Sequence, residues 1–451
     1  MKTVASCLSL TLALIVWSSS LSAAGLMPLL HAPECKQYRY PVMVSSESGK
    51  HLSGPTGNLF CTGQDFGSPL RDRSSAVAAL AVALEGKVIK ELVLSSYLYA
   101  EPEFGAFVCS QKFDGNAEIT VLAQRTGDMA GRVSHDVAVA FNSCAVTPRY
   151  IYFGCDVFDE ENQISTGERC PRGRVNVLHL KSAQFKLTDQ TAVVLLGSGN
   201  FNRSLYANVE DWTLYSGVVG DPFLVQAECA AKAIVSSSGM GASTQVIKDH
   251  MDSCLSSWPT KEAALSGYRL EFAPLQGDAF RTRLIDALST GDAIDIAAQA
   301  FEDPQLVAAA LGNKAATIRI IADDDWYWAL RAKAPMHTAN YEKLKWVEKL
   351  PKDAVRYLLT NHSKAGGVGS TMHTRIVSVT KSGVRTIFTG SAHFRQGSLT
   401  GNIEHLLTIT EPSITSKYSA FLDDLWKRAV PWQDMPLVDP PIVLPKTPEP
   451  K

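Results

Sequence analysis

The chain has almost no excess of either charge: 43 Lys and Arg stand against 45 Asp and Glu, a formal net charge of −2. Long nucleic acid is held mainly by phosphate neutralisation, so the overall charge offers it no footprint, and only a local basic cleft would. Beyond residue 24 no apolar run approaches the roughly 18 residues that cross a bilayer. None of the 9 cysteines forms a Cys-x-x-Cys pair, which argues against zinc, and none follows Cys254. Short periods are missing too, so the chain is not a solenoid.

What is present starts with a leader. Lys2, an apolar run from about Val4 to Trp17 and the small residues Ser22-Ala23-Ala24-Gly25 read as a secretory signal peptide over residues 1–24. The alternative is a retained anchor. Val4-Ala-Ser-Cys7 looks like a lipobox, but no apolar region precedes Cys7. The mature chain is therefore expected to be secreted or periplasmic, with no transmembrane segment. Without Cys7, the remaining cysteines are Cys35, Cys61, Cys109, Cys144, Cys155, Cys170, Cys229 and Cys254. An even set in an exported chain points to disulfides, with sequence neighbours such as Cys155 and Cys170 the favoured partners; some free buried thiols are the alternative.

Residues 25–72 are rich in Gly, Pro and Ser and read as a loop-rich segment held by Cys35 and Cys61. Ser75 to Leu84 is apolar all round and too short for a membrane, which predicts a buried helix. Strands are expected over 88–97 and 119–123, with a turn at Glu101-Pro102. The later part repeats the order: a helical face from Phe280, Leu284, Ile285 and Leu288, a strand over 293–300 closing at Asp303-Pro304, a helix through Leu306 to Leu311, and a strand over 317–322. Asp221-Pro222 and Glu411-Pro412 each precede a helical pattern. This alternation argues an α/β fold.

Within that order one series occurs twice. The first copy is His179-Leu-Lys181, Gly197-Ser198-Gly-Asn200 and Asn208-Val-Glu210. The second is His373-Thr-Arg375, Gly390-Ser391-Ala-His393 and Asn402-Ile-Glu404, with the same histidine-to-glutamate separation. A lone His-x-Lys carries little information; the matched series carries much. Histidine serves as nucleophile or acid–base near neutral pH. A cation two residues on along a strand lies on the same face. With a Gly-Ser turn, where donors approach closely, the set suits a phosphate oxyanion, and the glutamate can fix the histidine tautomer. Two facing half-sites would supply one nucleophile and one proton donor.

On these residues the chain resembles the phospholipase D superfamily, whose members pair two His-x-Lys motifs across a pseudo-twofold axis. The resemblance covers both halves. It departs from the family where an aspartate usually follows the lysine: Lys186 and Thr380 stand there, with Asp189 the displaced candidate. Arg375 replaces lysine and His393 replaces asparagine. A His-Lys-Asn set without the aspartate looks like the tyrosyl-DNA phosphodiesterase branch. The resemblance implies a duplicated domain of two mixed β-sheets flanked by helices, divided as 73–235 and 270–430; the flexible Ser- and Gly-rich composition from Ser236 marks a linker at 236–269, and the prolines after Pro431 a tail at 431–451. It also implies that one histidine forms a covalent phosphohistidine while the other protonates the leaving alcohol.

The expected catalytic set is His179, Lys181, Asn200, Glu210, His373, Arg375 and Glu404. Ser198, Ser391 and His393 are expected to bind phosphate, and no metal or other cofactor is expected. His179 is the preferred nucleophile and His373 the acid. The expected substrate is a phospholipid at a membrane surface, acted on by a monomer. The alternatives are a nuclease or DNA-adduct phosphodiesterase, and a degenerate lipid- or phosphate-binding protein. His362-Ser-Lys364 is a decoy in Gly-rich sequence. Asp323-Asp-Asp325 with Trp326-Tyr-Trp328 suits a solvated turn and core aromatics better than a metal or choline site. Asn202 and Asn361 match the glycosylation sequon, and a sugar on Asn202 would obstruct the site.

Overall fold

The computed structural model describes residues 25–33, 69–124, 133–154, 177–237, 242–258, 267–335, 339–358 and 371–435, with Val175, Thr360 and the backbone of hairpin strands at 41–46, 49–55, 158–159 and 164–165. The leader, the Cys35–Cys61 cap, the Cys155–Cys170 pairing, the decoy at His362 to Lys364 and the tail beyond residue 435 lie outside the described residues.

Two mixed sheets organise the chain. The first has seven strands: β1 (Gly25–His31), β2 (Ile89–Ser96), β3 (Phe113–Gln124), β4 (Arg149–Phe153), β5 (Ser182–Leu187), β6 (Thr191–Gly197) and β7 (Glu210–Val218), in the spatial order β1-β7-β6-β5-β2-β3-β4. The second has eight: β8 (Tyr268–Ala273), β9 (Ala293–Ala298), β10 (Thr317–Asp323), β11 (Val355–Leu358), β12 (Arg375–Lys381), β13 (Val384–Gly390), β14 (Glu404–Ile409) and β15 (Val430–Pro431), in the order β8-β14-β13-β12-β9-β10-β11-β15. Apart from β15 the orders are the same. In each sheet the second to fourth strands of the half run parallel and all other pairs antiparallel.

The parallel pairs require crossovers, and helices supply them. On the outer face of the first sheet lie α1 (Ser75–Leu84), α2 (Pro102–Cys109) and α3 (His135–Asn142), enclosing a core that includes Leu80, Phe104, Phe141 and Leu195. α4 (Pro222–Ser236) and α5 (Thr244–Ser257) follow the first half. On the outer face of the second sheet lie α6 (Gly277–Thr290), α7 (Pro304–Gly312) and α8 (Asp324–Ala332), around Phe280, Leu306 and Trp326. α9 (Pro412–Arg428) ends the second half. A third core is shared by both halves. It joins Leu178, Val194 and Tyr215 to Met372, Ile376 and Leu407, and is completed by α4 and α9. α9 packs against β1 of the first sheet and α4 against β8 of the second, so each half covers the other.

Four helices, α2, α4, α7 and α9, open on an acidic residue followed by proline: Glu101, Asp221, Asp303 and Glu411 accept a first-turn N–H. Proline suits that position because the first-turn N–H has no helical partner anyway. The expected turn at Glu101-Pro102 is thus the start of α2. Residues 25–31, placed by sequence in a loop-rich segment, are the edge strand matching β8, and α5 lies inside the expected linker. Two disulfides occur among the described residues. Cys109–Cys144 ties α2 to α3, and Cys229–Cys254 ties α4 to α5.

Gly390 closes β13 against β14 with φ +148, and a Cβ there would stand 2.2 Å from the His405 carbonyl oxygen. No side chain fits that approach without backbone movement. Gly390→Ala should lower unfolding free energy by about 2 kcal/mol or more in urea titration. Gly312→Ala, which meets open space at the end of α7, should leave stability unchanged or raise it by up to about 1 kcal/mol.

Candidate active site

The two motif copies meet where the halves join. The backbone just before each histidine pairs with the backbone just before the other copy's glutamate. His179 N–H donates to Ile403 O at 3.0 Å and Ile403 N–H to Val177 O at 3.0 Å. His373 N–H donates to Val209 O at 2.9 Å, and Val209 N–H to Thr371 O at 2.9 Å. Each histidine is thereby set beside the glutamate of the opposite half. His179 Nδ1 lies 3.0 Å from Glu404 Oε2 and 3.0 Å from Ser391 O. His373 Nδ1 lies 2.9 and 3.1 Å from the two Glu210 oxygens.

These partners are all acceptors, so Nδ1 carries the proton in both rings and Nε2 holds the lone pair. Among the described residues His179 Nε2 has no hydrogen-bond partner. His373 Nε2 accepts from Arg375 Nη2 at 2.8 Å. The same guanidinium donates to Ser198 O at 2.6 Å, His373 O at 3.1 Å and His393 Nε2 at 3.2 Å. His393 stands between the other two, its ring centroid 5.2 Å from His179 and 5.9 Å from His373. Lys181 Nζ donates to His179 O at 2.7 Å. Asn200 accepts from Ser96 Oγ at 3.4 Å, and its amide N–H groups have no partner among the described residues.

The serines do something other than expected. Ser198 Oγ donates to Glu210 and Ser391 Oγ to Glu404 at 2.6 Å, and both residues are fully buried. Asn208 and Asn402 donate to the same glutamates at 3.1 and 3.2 Å. Gly-Ser and Asn-x-Glu therefore form one unit in each half, which holds a buried carboxylate for the opposite histidine. A buried carboxylate needs such donors. The serine hydroxyls donate to that carboxylate, where a bond to a phosphate oxyanion was expected.

Asp189 sits in the exposed β5–β6 turn, paired with Lys87 and Thr191, far from any role as the family's aspartate. Lys186, in that aspartate's usual place, pairs with Glu91 and Glu228. Asp323 to Asp325 are buried and open α8, Asp323 capping Asp325 N–H, so the expectation of a solvated turn is not met. Their carboxylate oxygens lie within 4.8 Å of one another. Trp326, Tyr327 and Trp328 are core residues as expected. Sequence reasoning missed Asp211, whose buried carboxylate accepts from Arg375 N–H at 3.2 Å and from the Thr389 hydroxyl. It also missed His405 at the corresponding place in the other half. The signal available was a titratable residue directly after each motif glutamate, inside an apolar strand.

Fold and contacts define a two-motif α/β site in which paired, tautomer-fixed histidines face cationic and amide donors. Residues 284–426 match the family model described as cardiolipin synthase, PLD-like domain, so that stretch of the second half is similar to a PLD-like domain. No curated protein matches the sequence. Among solved structures it is similar to yeast tyrosyl-DNA phosphodiesterase, with 11% identity over 71% of this chain and 83% of that one, TM-score 0.42. NucT from Helicobacter pylori shows 18% identity over 36% of this chain and 98% of its own, TM-score 0.30. Polyphosphate kinase from Porphyromonas gingivalis shows 14% identity over 81% of this chain and 49% of its own, TM-score 0.43, so the chain spans about half of that kinase.

Burial lowers the histidines. It takes His179 to about 3 against the opposing pull of Glu404, and it lowers His373 with help from Arg375. His393 is lowered well and His405 falls to about 3, again through burial first. Burial works to raise Glu404, but His179 and Lys181 overrule it and hold the carboxyl at about 2. A histidine lowered on folding binds protons better in the unfolded chain, so its contribution is complete above about pH 6.5 and is lost as pH falls toward about 3. Melting temperature should therefore drop steadily from pH 7 to pH 4. His405→Leu, which removes one such group, should flatten that slope in thermal melts across the window.

Proposed function

We propose that the protein is an exported phosphodiesterase of phospholipase D type, acting as a monomer on a phospholipid head group through a phosphohistidine. The observation that carries this reading is the crossed pairing of His179 with Glu404 and His373 with Glu210. It leaves an unprotonated Nε2 on His179 with no hydrogen-bond partner among the described residues, which is what a nucleophile needs. His179 Nε2 attacks phosphorus while the bond to the leaving alcohol breaks. His373, protonated at Nε2 once Arg375 turns to the phosphate, gives that proton to the departing oxygen. It then takes a proton from water, whose oxygen attacks phosphorus as the P–N bond breaks. Lys181, Arg375, Asn200 and His393 hold the non-bridging oxygens, and Glu210 and Glu404 hold the imidazolium charge as it develops. The leader and the slightly acidic net charge favour a lipid substrate over long nucleic acid.

One contact favours a second reading, a phosphate or head-group binder without turnover. Arg375 occupies His373 Nε2, the atom an acid must use. Turnover of bis(4-nitrophenyl) phosphate with chelator present decides between enzyme and binder. A parallel comparison of phospholipid vesicles with single-stranded DNA decides the substrate, and preference for DNA would replace the lipid reading with a nuclease.

The histidines should separate by leaving group. His179→Ala should abolish both turnover and covalent labelling by substrate. His373→Ala should retain labelling and lose about 10²–10⁴-fold more activity on a natural alcohol ester than on a nitrophenyl ester, which departs without a proton. Loss of labelling in His373→Ala with retention in His179→Ala would reverse the roles.

A further inference from the structure

Each motif histidine is preceded by a residue whose backbone N–H is taken by a buried polar side chain. Leu178 N–H donates to Gln124 Oε1 at 2.8 Å. Met372 N–H donates to Asp323 Oδ2 at 2.7 Å. Gln124 ends β3 and Asp323 ends β10, the corresponding strands of the two sheets, and they are only 1% and 0% exposed. Two residues unlike in charge thus occupy one place in the duplicated fold and make the same bond.

The next peptide along is held from the other side. The N–H of His179 goes to Ile403 O and that of His373 to Val209 O, both across the interface between the halves. The two peptide planes leading into each histidine are therefore fixed separately, one by a side chain of the same half and one by a strand of the opposite half. The imidazole therefore departs from a backbone held at two successive N–H groups. Buried N–H groups need an acceptor. An acceptor reached by a side chain from a strand not paired with this segment aims the backbone as well as satisfying it.

We infer that Gln124 and Asp323 are positioning residues of the reaction, Gln124 for His179 and Asp323 for His373. The inference rests on the histidine-based reading above and gives each half its own aiming element. Neither residue touches substrate; each acts through the peptide before the histidine and so sets where Nε2 points. Asp323 has further duties. It accepts the Thr360 hydroxyl at 2.8 Å and caps Asp325 N–H at 3.1 Å, so its loss also disturbs the start of α8.

The test uses the full chain in four variants, Gln124→Leu, Gln124→Glu, Asp323→Leu and Asp323→Asn, each assayed on a nitrophenyl ester and a natural alcohol ester. Gln124→Leu should lower kcat about 10- to 100-fold on both esters, since misaim slows attack whatever the leaving group. KM should stay within about twofold. Gln124→Glu keeps the acceptor and should restore most of the rate. Asp323→Leu should lose more on the natural ester, where His373 must deliver a proton, and Asp323→Asn should recover it. A purely structural role would lower both esters alike at position 323 and show no rescue. Folded Gln124→Leu with kcat within about twofold of wild type, or an equal and unrescued loss on both esters in Asp323→Leu, overturns the inference. Should the wild-type protein turn over no phosphodiester, the functional reading fails by itself. Amide exchange at Leu178 and Met372 then judges the clamp, and protection that persists in both leucine variants overturns it.

Discussion

The structure depends on one reciprocal backbone contact. Leu178 bridges to Ile403, and Val209 bridges to Met372. Each bridge joins the residue before a histidine in one half to the residue before a glutamate in the other. A glutamate thereby reaches the histidine it could not reach within its own copy. The site does not exist in either half alone, because each half holds one histidine and the carboxylate belonging to the other.

Around that contact the polar groups form a closed set. Ser198 and Asn208 hold Glu210, Ser391 and Asn402 hold Glu404, and the glutamates hold the rings. Asp211 fixes the backbone of Arg375. Buried charges are tolerated where they are hydrogen-bonded and paired, and here every carboxylate of the set has donors. The shared core beneath, from Leu178 to Met372 and Leu407, removes water from this network and strengthens each contact in it.

The halves repeat in topology but differ in chemistry. Lys181 donates to the His179 carbonyl and not to its ring, whereas the Arg375 fork closes on His373 and His393 together. Arginine is planar and presents several donors at once, so it bridges acceptors that a lysine ammonium would meet singly. The substitution of His393 for the asparagine at Asn200 supplies one of those acceptors. Among the described residues Nε2 of His179 thus has no hydrogen-bond partner, whereas Nε2 of His373 is taken by Arg375.

The doubled His-x-(Lys/Arg), Gly-Ser and Asn-x-Glu series, with α/β alternation around it, was enough to recover the duplicated fold class and its two mixed sheets. Those features are local: strand and helix periodicity and residue chemistry at fixed spacing along one chain. The division of the chain was less legible. Gly25 to His31 carries no strong strand pattern by itself and becomes a strand because β7 offers an unpaired edge. The crossing of Glu210 to His373 and of Glu404 to His179, the inward turn of Ser198 and Ser391, and the places of Gln124, Asp211 and Asp323 were decided by tertiary structure alone. Spacing along a chain records which residues travel together. Which half's backbone lies beside which histidine is settled only when the two sheets close on their shared core.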